Sequence, residues 1–133
     1  MSILSGKTIF MVEDNPGNAA IIRTILRQAG ARVPYDHRGD ITLTRMIQNL
    51  PLDMILMDLM LPGASGYDIF DAIRNQPKLK DIPIVAVSAS DPDVEIPRAK
   101  KLGFSSFISK PIDRRTFPEN LSSIMAGEKI WGG

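Results

Sequence analysis

An acidic pair, Glu13-Asp14, an aspartate, Asp58, a hydroxyl, Ser88, and a Lys110-Pro111 step each follow a short apolar run in this 133-residue chain. If those runs are neighbouring strands, three carboxylates, one hydroxyl and one ammonium converge on a single edge. Carboxylates a few ångströms apart repel one another and raise each other's pKa. A divalent cation relieves that repulsion, and oxygen ligands without thiols or a histidine cluster point to a hard ion, Mg²⁺ or Mn²⁺. Lys110 can neutralise a carboxylate and hold a phosphoryl oxygen as a point charge. Ser88 can donate a hydrogen bond to another such oxygen, and an aspartate is a competent nucleophile for phosphorus. Phosphoryl transfer needs little beyond positioning and charge neutralisation, which these groups supply.

The elements that must position these residues follow from hydrophobic patterning. Thr8–Val12, Met54–Met57, Ile82–Val87 and Phe104–Ile108 are short, largely apolar runs. Such runs suit parallel strands covered on both faces. Ala31–Tyr35 is a weaker run, and its Pro34 suits an edge strand. Helical spacing separates the runs. Asn15–Gly30 carries Ala19, Ile22, Leu26 and Ala29, with Ile21 and Ile25 widening the stripe, an Asn15 cap, Pro16 in the first turn and Gly30 as terminator. Asp40–Leu50 puts Ile41, Thr44 (or Leu43), Ile47 and Leu50 on one face, and Gly66–Asn75 presents Ile69, Phe70 and Ile73. Pro97 is expected in the first turn of a short helix ending near Gly103, and Thr116–Glu119 reads as a capping box opening the last helix. Five strands and five helices in alternation predict an α/β fold with right-handed crossovers and a parallel sheet between helical layers. Ligands of such sheets sit outside the carboxyl ends of the strands, where the four motifs lie.

Composition bounds the alternatives. Apolar residues make up 44% and charged residues 23%, as in an ordinary globular domain. A formal charge of +1 lacks the basic excess of a nucleic-acid binder. The absence of cysteine excludes disulfides, thiolate metal sites and cysteine nucleophiles, and the single histidine, His37, argues against histidine-based machinery. No apolar stretch is long enough to span a bilayer, and no cleavage site follows the N-terminal apolar stretch, so a cytoplasmic protein without membrane or nucleic-acid partners is expected.

The four motifs, in this order and at these separations, resemble the receiver domain of two-component response regulators, the CheY-like fold, over residues from about Lys7 to about Met125. That resemblance implies a flavodoxin-like, doubly wound five-stranded parallel sheet of order 2-1-3-4-5, with residues 1–127 as the receiver and 128–133 as a short tail. It implies that Asp58 is the phosphoacceptor, with Ser88 and Lys110 assisting catalysis of its own phosphorylation and dephosphorylation. Asp14 is then a direct Mg²⁺ ligand, Glu13 acts mainly through metal-bound water, and Asp58 and the Met60 carbonyl complete the set. Ser88 and Phe107 take the switch positions, and Pro111 takes the position of the cis-proline. Phe107 lacks the hydroxyl of the tyrosine frequent in the family, so switching rests on ring burial. The implied donor is a histidine kinase or phosphotransfer protein, and the implied output is docking to a downstream protein.

Two other functions compete with the signalling switch. A Mg²⁺-dependent phosphohydrolase of the haloacid-dehalogenase type needs a second aspartate two residues after the nucleophile, where Met60 stands. A phosphorylation-independent adaptor needs neither acceptor nor lysine, yet both are present. The Gly63–Gly66 stretch lacks the pattern of a phosphate loop and reads as a turn into a helix, the late basic residues read as a solvated face, and Trp131 reads as part of a disordered tail.

Overall fold

Because a central parallel strand is covered on both faces, its odd and even residues must both be apolar. Strand β1, Ile9–Val12, shows the consequence. Ile9 and Met11 enter one core cluster, and Phe10 and Val12 enter the other. The computed structural model of the chain describes residues 2–36, 41–61 and 64–132. His37, Asp40 and Gly63, each singled out above, lie outside the described residues.

After β1 the elements are α1 (Pro16–Gln28), β2 (Tyr35–Asp36), α2 (Thr42–Gln48), β3 (Met54–Asp58), β4 (Met60–Leu61), β5 (Ala64–Ser65), α3 (Gly66–Arg74), β6 (Ile84–Ser88), α4 (Pro92–Leu102), β7 (Ser106–Ser109) and α5 (Phe117–Met125). The main sheet is parallel with order β2-β1-β3-β6-β7, the 2-1-3-4-5 order in terms of its own five strands. Helices α1 and α5 cover one face with Ile22, Leu26, Phe117 and Leu121. Helices α2, α3 and α4 cover the other with Met46, Phe70, Ile73 and Ala99. This is the CheY-like, flavodoxin-type arrangement of five strands and five helices.

Several local expectations need correction. The regular part of β2 is confined to Tyr35–Asp36, because Pro34 has no N–H to donate, although Arg32 and Pro34 still accept from Ile9 and Met11. Ile21 is 51% exposed and is not part of the buried stripe of α1. In α2 the buried residues are Thr42 and Met46, while Ile41 and Thr44 face solvent. That rotation follows from a buried hydrogen bond of 2.5 Å from Thr42 Oγ1 to Asp36 Oδ2, which pins the first turn to the end of β2. The Thr116 side chain makes no capping hydrogen bond, so the capping box does not form at α5.

Pro97 does not open a helix. Helix α4 begins five residues earlier, with Asp91 accepting from Asp93 N at 3.0 Å and Pro92 in the first turn, and Pro97 lies inside it. Its ring is tolerated there because the residue is exposed, but it removes the backbone donor to Asp93. Replacing an exposed interior proline restores that bond at no packing cost. Pro97→Ala is therefore expected to stabilise the chain by about 1–3 kcal/mol, measured as a higher midpoint in urea unfolding with an unchanged slope.

Candidate functional site

The carboxyl ends of β1, β3, β6 and β7 converge as the fold class demands. Register places Val12 beside Met57, Asp58 beside Val87 and Ser88 beside Ser109, so Glu13, Asp58, Ser88 and Lys110 follow one another across the sheet edge. Lys110 Nζ lies 2.5 Å from Glu13 Oε1 and 3.5 Å from Asp58 Oδ2. These side chains are largely withdrawn from water, with 16%, 3% and 11% of their surfaces exposed for Lys110, Glu13 and Asp58. The lysine backbone is fixed as well, its N–H donating to Ser88 O at 2.9 Å. Ser88 is fully buried, and its Oγ accepts from Ser90 N at 3.1 Å. The hydroxyl proton remains available for a further acceptor.

Glu13 is pushed up from 4.5 to about 7, chiefly by burial and then by its hydrogen bond to Asp58; Lys110 opposes the shift. Two buried carboxylates thus share one ammonium, and the site is short of positive charge. Asp14 follows directly, half-buried in the loop before α1. Among the described residues no three acids or imidazoles form a ready-made metal cage. The donor set nevertheless suits Mg²⁺, which takes one or two carboxylates and keeps several waters. A cation beside Glu13 and Asp58 would also supply the charge that Lys110 alone does not.

The backbone of Met60 lies in β4, paired with Ser65 in β5 to form a small hairpin after Asp58. Phe107 is fully buried in β7, three residues before Lys110. The Lys110–Pro111 peptide bond is cis, and so is Leu50–Pro51, which the sequence reading did not single out.

Two supports of the site were missed in the sequence. At Gly66, the first residue of α3, a Cβ would lie 2.5 Å from Asp58 O and 2.8 Å from Leu59 Cα. The helix therefore approaches the end of β3 so closely that only glycine is accommodated there, a constraint a lone sequence glycine does not announce. Tyr67 follows and donates its hydroxyl to Glu95 of α4, with Arg98 stacked 3.8 Å over its ring. Burial and the Glu95 carboxylate both push the Tyr67 phenol up. This link ties the helix beside Asp58 to α4, and its partners are too far apart in sequence for spacing to show it.

A family model described as the response regulator receiver domain matches residues 9–122, and the chain belongs to that family of two-component signalling proteins. The polar-differentiation response regulator DivK of Brucella anthropi is 30% identical over 119 residues, covering 90% of this chain and 96% of the relative. The receiver domain of a sensor histidine kinase from Pseudomonas aeruginosa is 31% identical with a TM-score of 0.80, covering 92% of this chain and 100% of that one. That structure is described with a magnesium ion coordinated in its active-site cleft. The chemotaxis protein CheY4 of Vibrio cholerae shares the fold, with a TM-score of 0.81 at 21% identity over 89% of this chain and 98% of that one. Among the described residues no helix is long and apolar enough to cross a membrane.

Two outcomes follow from this geometry. Between pH 4.5 and about 7 the folded chain keeps a proton on Glu13 that the unfolded chain has lost, so this residue makes folding less favourable as pH rises through that window. The stability of Glu13→Gln relative to the parent should therefore rise by about 1–3 kcal/mol from pH 5 to pH 8, read from urea unfolding at both pH values. Gly66→Ala should cost about 1–3 kcal/mol through overpacking against Asp58 and Leu59, seen as a lower unfolding midpoint.

Proposed function

We propose that the chain is a phosphorylation-driven signalling receiver in which Asp58 accepts a phosphoryl group from a histidine kinase or phosphotransfer protein. The observation that carries this reading is the Lys110 ammonium held between Glu13 at 2.5 Å and Asp58 at 3.5 Å. It leaves one carboxylate at the sheet edge with a cation already beside it. Asp14, Glu13 and Asp58 with the Met60 carbonyl would hold Mg²⁺. Bound there, the ion would shield the transferring oxygens from the acids; Mn²⁺ would serve the same chemistry.

A carboxylate oxygen of Asp58 forms the new bond to phosphorus while the donor's P–N bond breaks. The bond's electron pair returns to the imidazole, whose other ring nitrogen has taken a proton from solvent, so the ring leaves as the neutral base. Lys110 exchanges Glu13 for a phosphoryl oxygen, and the Ser88 hydroxyl donates to another. Charge is thereby redistributed along β6 and β7, the strands that carry the switch positions Ser88 and Phe107. Catalysis ends with the chain's own phosphorylation and hydrolysis, so the protein acts as a switch and not as an enzyme on other substrates.

An apolar cleft of about 350 Å³ lined by Ile21, Ile22, Ala89, Pro111 and Ile112 opens beside Lys110 and suits the donor protein's docking. The exposure of Ile21 at this cleft is consistent with a partner contact. Residues 1–127 form the receiver in this reading. A cytoplasmic location follows from the kinase partner, and the downstream target is another protein and not nucleic acid.

Incubation with acetyl phosphate and Mg²⁺, followed by intact-mass measurement, should add one phosphoryl group to the parent chain. Asp58→Asn should gain none, and Lys110→Ala should be labelled at least tenfold more slowly. Equal labelling of Asp58→Asn would overturn the assignment.

A further inference from the structure

The outer edge of β7 is not left open. The chain leaves α5 through Gly127, at φ +105°, and Glu128 N returns to Ser123 O at 3.1 Å. It then runs alongside β7. Phe107 N donates to Ile130 O at 2.9 Å, Gly132 N donates to Phe107 O at 2.7 Å, and Phe107 and Trp131 form a parallel bridge. Ile130 N adds a 2.9 Å bond to Ser106 Oγ. The segment straddles the sheet, with Ile130 packed on the α1/α5 core and Trp131 on the core that holds Phe107. It also touches α4. Lys100 Nζ sits 5.1 Å over the Trp131 ring, and a Cβ at Gly132 would lie 3.5 Å from Ile96 Cδ1. The expectation of a disordered tail is thus corrected: an edge strand presents unpaired N–H and C=O groups, and this segment satisfies them.

Both backbone groups that the segment uses belong to Phe107, and β7 ends at the residue before Lys110. A change in where Lys110 Nζ is held therefore acts on the same short strand that the segment reads. A phosphoryl group can open the segment only by stabilising the β7 arrangement that binds it less well. We propose that residues 128–132 are an intramolecular strap on the β7 edge and the adjoining face of α4, docked while Asp58 is unmodified and released when Asp58 carries a phosphoryl group. Release uncovers the β7 edge and the Trp131 site for a partner that adds an extended segment. The proposal rests on the phosphoacceptor reading above.

Trp131 is the only tryptophan, so the strap reports on itself. The full chain is treated with acetyl phosphate and Mg²⁺ while intact mass and Trp131 fluorescence are followed together. In the untreated chain acrylamide should quench Trp131 at least twofold less than free tryptophan. Quenching should rise, and emission shift to the red, in proportion to the phosphorylated fraction, with no change in Asp58→Asn. By reciprocal linkage, Trp131→Ala should bind beryllium fluoride with Mg²⁺ at least threefold more tightly than the parent, measured by calorimetry. A mass gain with unchanged fluorescence, or unchanged beryllium fluoride affinity in Trp131→Ala, would overturn the strap while leaving Asp58 as acceptor. Quenching equal to that of free tryptophan before treatment would do the same. Absence of any mass gain would overturn the acceptor reading, and the linkage with it.

Discussion

One ammonium shared by two buried carboxylates is the interaction on which the rest of the molecule depends. Withdrawing Glu13 and Asp58 from water is costly, and Lys110 offsets that cost only while it stays within reach of both. Glu13 registers the shortfall by holding its proton up to about pH 7. A site built this way is stable enough to fold and still short of positive charge, a condition suited to a divalent cation. Its geometry cannot be carried on a loop, because Glu13, Asp58, Ser88 and Lys110 come from four strands. The parallel sheet holds them in register with hydrophobic layers on both faces, so a displacement at the edge is resisted by the close packing beneath it.

Two connections lead away from that edge. One runs from Asp58 through the tight Gly66 contact to Tyr67, whose hydroxyl holds Glu95 on α4. The other runs from Lys110 back along β7 to Phe107 and the segment paired with it. Both reach α4, the first through Glu95 and Arg98 and the second through Ile96 and Lys100. Helix α4 is thus gripped from two sides by elements that begin at Asp58 and Lys110. Its interior proline and exposed Val94 and Leu102 leave it with little holding of its own, and among its residues only Ala99 is buried.

The layers, the strand order and the residues at the strand ends were legible because each rests on a short-range pattern. Runs such as MILMD and IVAVS are apolar on both faces, and helix punctuation at Asn15-Pro16 and Gly30 is local chemistry. What was not legible depends on tertiary neighbours. The α2 face turns on the Thr42–Asp36 bond, and the start of α4 on an Asp91 cap that outweighs Pro97. The role of Gly66 exists only when α3 has docked on β3, and the tail looks unstructured until the β7 edge is there to pair with it. In the site, residue types were readable, but not the closer approach of Lys110 to Glu13 than to Asp58.

The magnitudes explain why an edge-bound segment can serve as a movable part. Its four hydrogen bonds, three to β7 and one to Ser123 of α5, contribute about 1 kcal/mol each. The half-buried Trp131 adds roughly 1–2 kcal/mol by partial burial, and Lys100 over its ring about 0.5–1. Ordering residues 128–132 costs about 1–2 kcal/mol per residue. Gain and cost are therefore of similar size. A charge rearrangement of a few kcal/mol at Lys110 is enough to reverse such a balance. The same rearrangement is too small to unfold the core beneath, where Phe10 and Phe104 are enclosed on all sides. The fold thus places a nearly balanced element on the one edge strand that leads directly to the lysine.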